Sequence, residues 1–144
     1  MKNNLFPPDD YFLQDIEKYR GLRYTLGKEG YDRFLSDNSL PLYPRNDGFI
    51  GSPIKETLTR GSIIIDRYGR DTGRFVSPKG TGFEKRSLPK ESINDEYHVY
   101  KVKQDIENVL SGRTAPWFEQ PGDGWQYKLP DSIANLSEYL EEAD

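Results

Sequence analysis

A chain of 144 residues with 20 basic and 24 acidic side chains, net charge −4, is long enough to bury a core and too acidic for bulk phosphate-backbone binding to be its main task. It has no cysteine, which excludes a disulfide framework and a thiolate zinc site. Its longest apolar run, Ile63-Ile64-Ile65, is far too short to span a membrane as a helix, so no membrane insertion is expected. Met1 to Asn4 leads into Leu5-Phe6-Pro7-Pro8 and not into the apolar stretch of a secretory signal peptide.

With hydrophobic residues at only 34%, much of the core must come from the 10 Tyr, 7 Phe and 2 Trp, whose side chains each bury a large area. The 13 Gly and 10 Pro favour turns and short strands over a helical bundle.

Pro7-Pro8-Asp9-Asp10 reads as a helix entry, with Phe12, Ile16 and Tyr19 at helical spacing and Gly21 to end the helix. A second short helix is expected through Tyr31, Phe34 and Leu35. Residues 40–53 are rich in Pro and Gly around Asn46-Asp47-Gly48 and read as a seam. The division is therefore a helical N-terminal subregion, 1–43, and a β-rich core, 44–144.

Thr59 to Arg67 predicts a strand, and its triple isoleucine suits one buried on both faces. Gly69 to Gly73 predicts a tight turn and Arg74-Phe75-Val76-Ser77 the return strand of a hairpin. Pro78 to Pro89 reads as a loop. Glu96 to Lys103 alternates in period two, with His98, Tyr100 and Val102 on one face and Tyr97, Val99 and Lys101 on the other. Asp105 to Leu110 extends the pairing, Ser111-Gly112-Arg113 predicts a turn, and Gly124 to Leu129 a last strand. Ser132 is placed to cap a final helix with Ile133, Leu136 and Leu140 inward. Its trailing acids oppose the helix dipole, so its end should fray. The expected class is α+β: a central antiparallel or mixed sheet with a helical N-terminal subregion and a C-terminal helix.

Common catalytic signatures are missing. No Gly-x-Gly-x-x-Gly joins a strand to a helix, no P-loop occurs, and no Gly-x-Ser-x-Gly elbow surrounds a serine. A single histidine leaves no histidine-rich metal site, and no metal is expected. Three features remain. Arg67 and Arg74 bracket a turn of small and polar residues, where two guanidinium groups could grip one pyrophosphate or pair with nearby acids. His98 could orient a substrate, carry a proton near neutral pH, or be an ordinary bonded strand residue. Gln126 between Trp125 and Tyr127 suits a ribose or carboxamide beside a stacking ring, or faces water.

The ordered stretches Pro44-x-Asn46-Asp47-Gly48, Asp66-Arg67-Tyr68-Gly69, Gly73-Arg74-Phe75-x-Ser77-Pro78-x-Gly80-Thr81-x-Phe83, Leu88-Pro89, Tyr97-His98-x-Tyr100 and Ala115-Pro116-Trp117-Phe118-x-Gln120-Pro121-Gly122-x-Gly124-x-Gln126-Tyr127 resemble the TNT domain family, named for the tuberculosis necrotizing toxin. The resemblance implies a glycohydrolase that cleaves the nicotinamide–ribose bond of NAD+ or NADP+, needing no cofactor beyond that substrate. It implies a delivered toxin acting in a target-cell cytoplasm and restrained by an immunity protein, with no nucleic-acid partner. It assigns His98 and Gln126 as catalytic and Arg67 and Arg74 as substrate-holding. Phe75, Ser77 and Trp125 join the binding set, with Phe75 or Trp125 stacking on nicotinamide. Asp123 and Trp125 stand where the family commonly has small residues. Rival readings are an ADP-ribosyltransferase, which needs an acceptor-activating acid, and a non-catalytic NAD-binding module.

Overall fold

The computed structural model describes residues 43–44 and 46–143. The helices expected within 1–43 lie outside the described residues. What is described is a seven-stranded sheet: β1 Ile54–Leu58, β2 Ile64–Tyr68, β3 Phe75–Pro78, β4 Tyr97–Val102, β5 Ile106–Arg113, β6 Trp125–Lys128 and β7 Leu140–Ala143. The order across the sheet is β1-β5-β6-β3-β2-β4-β7, and every pairing is antiparallel. Among the described residues the only helical pieces are short 3-10 turns, the longest being Lys90–Asn94. For the described residues the α+β expectation, with its partly parallel alternative, is therefore corrected to an antiparallel β architecture.

The C-terminal helix is the clearest correction. Ile133, Leu136 and Leu140 are all buried as their spacing predicts, but helical geometry stops after a single turn at Ala134–Leu136. The chain then runs antiparallel to β4, placing Glu141 opposite Lys101 and Leu140 opposite Val102. An acidic helix C-terminus is unfavourable, whereas β4 offers unpaired backbone groups and a lysine to face the acid. Tertiary pairing overrides the local pattern.

Other boundaries shift for similar reasons. Ser111-Gly112-Arg113 is not a turn but the end of β5, with Ser111 opposite Tyr127 and Gly112 opposite Gln126. Gly112 is small there because the Phe49 ring lies over it; an added Cβ would meet Phe49 Cδ1 at 3.0 Å. The triple isoleucine is not buried on both faces: Ile64 is 42% exposed and Ile65 0%. Strand β1 falls in a stretch with no sequence expectation and pairs with β5 from the sheet edge.

One cluster fills the core: Ile65, Val76, Tyr100, Val102, Val109, Tyr127, Leu129 and Leu136 with their neighbours. Strand β3 decides where the cleft opens. Its first two residues pair with β6, Phe75 opposite Lys128 and Val76 opposite Tyr127. Its last two pair with β2, Ser77 opposite Asp66 and Pro78 opposite Ile65. A strand that changes partner halfway lets β2 and β6 diverge beside Phe75, and side chains from both enter the gap.

Candidate active site

The gap opens into a cleft of about 960 Å³, within the size range of small-molecule and cofactor sites. Its walls come from the β2–β3 turn (Arg67 to Phe75), the segment Arg86 to Leu88, the approach to β4 (Ser92 to Glu96), the Asp47-Gly48 turn, and Gln126 and Lys128 of β6. Period-two alternation turns Trp125 and Tyr127 toward the core and leaves Gln126 and Lys128 for the cleft.

Arg67 holds the β2–β3 turn together. Its Nε donates to the Arg70 carbonyl at 2.8 Å and its Nη1 to the Phe75 carbonyl at 3.0 Å. The guanidinium lies against the turn's glycines, and a Cβ on Gly73 would stand 2.0 Å from Arg67 Nη2. Burial pushes the guanidinium pKa down, and the facing Tyr100, Tyr43 and Asp95 push it back up. Arg74 and Phe75 line the same cleft. The Arg74 carbonyl accepts from the Leu129 amide, while its guanidinium makes no hydrogen bond or ion pair with another described residue and acts on Asp131 only through its charge.

Gln126 is only 9% exposed. Its Nε2 donates to the Asp47 carbonyl at 2.9 Å, and Lys128 Nζ meets Asp47 Oδ2 at 2.9 Å. Ser77 is buried and borders a smaller hollow that also touches Asp66 and shares Phe75 and Gln126 with the main cleft. It does not line the main space.

Two further predicted site residues, besides Ser77, lie outside the cleft wall. Trp125 packs against the core cluster, because it alternates with Gln126. His98 pairs with Arg67 across the β2–β4 ladder, but its imidazole turns to two carboxylates, Glu96 at 2.8 Å from Nε2 and Glu142 at Nδ1. Hydrogen bonding to Glu96, then to Glu142, raises its pKa above the ordinary histidine value. Glu96 itself lines the cleft, so the histidine reaches that space only through its neighbour.

Sequence reasoning missed Arg86. It is buried in the predicted Pro78–Pro89 loop, lines the cleft and sits 4.9 Å from the Tyr68 ring centroid. Its Nη1 and Nη2 grip Asp66 at 2.6 and 2.9 Å, while Nε and Nη2 donate to the Thr81 carbonyl. The signal was Asp66 directly after three isoleucines: a carboxylate in a buried strand needs a cation. Which cation could not be read from the chain. Among the described residues no group of three or more His, Cys, Asp or Glu is placed to hold a metal ion.

Residues 57–142 match the family described as Tuberculosis necrotizing toxin. The chain belongs to the TNT family. A fungal relative of this TNT chain, the conidial surface nicotinamide adenine dinucleotide glycohydrolase of Aspergillus fumigatus, is 31% identical over 133 residues, covering 81% of this chain and 56% of that protein. The TNT chain thus spans little more than half the length of that curated relative. The solved tuberculosis necrotizing toxin, determined in complex with its immunity factor, superposes with a TM-score of 0.67 at 23% identity over 79% of this chain and 70% of that one. At that identity the likeness establishes the TNT fold.

Proposed function

We propose that this TNT chain is an NAD+ glycohydrolase, releasing nicotinamide and ADP-ribose. One observation carries the reading: a single cleft collects Arg67, Arg74 and Phe75 from the β2–β3 hairpin and Gln126 from β6 in a chain related to a named NAD glycohydrolase. The uncommitted Arg74 guanidinium suits the pyrophosphate, with Arg67 and Arg86 shaping the wall beside it. Phe75 offers a ring for the nicotinamide. Asp95 and Glu96 border the same space, and their charge favours the cationic nicotinamide ring of NAD+.

The chemistry asks little of a general acid. Nicotinamide leaves as a neutral molecule from a cationic ring nitrogen, taking the bonding electron pair with it. The ribose carbon becomes oxocarbenium-like and is captured by water, which loses a proton. The protein's work is to orient the dinucleotide and to direct the water. Gln126 is the catalytic residue at the ribose. His98 is a positioning residue that sets Glu96. A toxin role and a cognate immunity protein belong to the same reading, supported by the family and by the complex in which its structural relative was solved.

The test incubates purified chain with NAD+ and, in parallel, NADP+, each carrying label in the adenosine half. Free labelled ADP-ribose from NAD+, or its 2′-phosphate from NADP+, with equimolar nicotinamide supports hydrolysis. Label retained on macromolecules, or no loss of either substrate, sinks the proposal.

A further inference from the structure

Resting on the glycohydrolase reading, we propose that the Asn46-Asp47-Gly48 turn is a positioning element that fixes the polarity of the Gln126 amide, so that its carbonyl oxygen is the group presented to substrate or water. A glutamine amide is ambidextrous: it can offer either a donor or an acceptor. Here the choice is made by the backbone. The Asp47 carbonyl can only accept a hydrogen bond, and it takes Gln126 Nε2 at 2.9 Å. No described residue donates to Oε1, and the side chain, though nine-tenths buried, borders the cleft. The oxygen end is therefore the end left to act.

The turn is built to hold that carbonyl in place. Asn46, Asp47 and Gly48 are three consecutive residues in the left-handed region, at φ of 58°, 53° and 81°. Non-glycine residues occupy that region at a cost, Asn and Asp least reluctantly. The conformation is clamped by Asn46 Nδ2, which donates to the Phe49 and Gly51 carbonyls at 2.9 and 2.7 Å. Phe49 next to it is 1% exposed, and backbone bonds from Ala115 to Gly48 and from Ile50 to Arg113 tie the turn to the sheet. An Asn at that position supplies both the tolerated φ and the clamp. An acceptor at this point suits a ribose hydroxyl or the attacking water, both of which have protons to give.

The experiment is Asn46→Gly, which keeps the left-handed backbone accessible and removes only the clamp. The Gln126 side-chain amide is followed by NMR in isotope-labelled protein, alongside NAD+ turnover. In the wild type the two amide protons should be slow to exchange with solvent. In Asn46→Gly they should exchange faster, kcat should fall by about ten- to a hundred-fold, and KM should stay within about two-fold. Gln126→Glu, which keeps an oxygen toward the cleft but sets an anion against the Asp47 carbonyl, should lose kcat in the same manner. A wild-type amide that exchanges with solvent as fast as an exposed glutamine overturns the proposal. So does a loosened amide with unchanged kcat, or a Gln126→Glu enzyme at wild-type rate. If the wild type hydrolyses no NAD+, the functional reading falls by itself, and the amide spectrum still decides whether the polarity is fixed.

Discussion

The carboxylate of Asp66, with 0% of its surface exposed, is gripped through both oxygens by the buried guanidinium of Arg86, 20 residues further along the chain. Tyr97 Oη and the Gly80 amide add bonds to the same carboxylate at 2.6 and 3.1 Å. This pair fastens the loop after β3 to the middle of β2 and so supports one wall of the cleft.

Removing one partner strands the other. Arg86→Leu should cost about 3–5 kcal/mol, because an uncompensated carboxylate stays buried. Pairing it with Asp66→Asn should recover part of the loss. Urea unfolding of the single and double variants reads both numbers, and a single-variant loss below about 1 kcal/mol would mean that the pair holds nothing.

Gly73 is the seat of Arg67. Gly73→Ala drives a methyl into the guanidinium and should expel it from the turn, breaking the bonds to Arg70 and Phe75. The expected result is a folded protein whose kcat/KM for NAD+ drops by about ten- to a hundred-fold. Steady-state kinetics with a circular dichroism control checks it; an unaltered kcat/KM would remove the β2–β3 turn from the site.

His98 should titrate above the ordinary histidine value, held up by its bond to Glu96 and then by that to Glu142. Its raised folded pKa makes the protonated form the stabilising one. The contribution is complete below about 6.5, the unfolded value, and is lost as pH climbs through the folded pKa. Glu142→Gln should lower the imidazole pKa seen by NMR and flatten the decline of melting temperature across that window. An imidazole titrating below 6.5 would contradict the two-carboxylate arrangement.

Tyr97 and Tyr100 are both pushed up to about 12, each by burial first; Tyr97 is raised further by its bond to Asp66, Tyr100 by Glu142 and Asp71. Neutral phenols therefore stabilise the fold below about pH 10, and that contribution disappears as pH rises through the folded values. Ultraviolet titration of the native protein should show Tyr97 and Tyr100 among its late-ionising tyrosines, with one late step fewer in Tyr97→Phe. If that variant ionises like the wild type, the Asp66–Tyr97 bond is not formed in solution.

Local sequence carried a good part of the molecule. Period two in Tyr97–Val102 and the hairpin around Gly69–Gly73 were readable because alternation and turn chemistry are properties of neighbouring residues. The ordered motifs likewise announced the family, and Arg67, Arg74, Phe75 and Gln126 do share one cleft. Ile133, Leu136 and Leu140 show where legibility stops: their spacing satisfies a helix, and their burial is satisfied equally by one 3-10 turn and a strand.

Only the tertiary structure decided that the open edge of β4 would capture the C-terminal segment. It alone chose Arg86 as the partner of Asp66, brought Glu142 to His98, and directed the Gln126 amide nitrogen to a carbonyl 79 residues away. Each choice depends on which distant backbone group or charge arrives alongside, and no window of adjacent residues contains that information. Composition and order set the strands and the family; the pairing of strands set the chemistry each side chain is left free to perform.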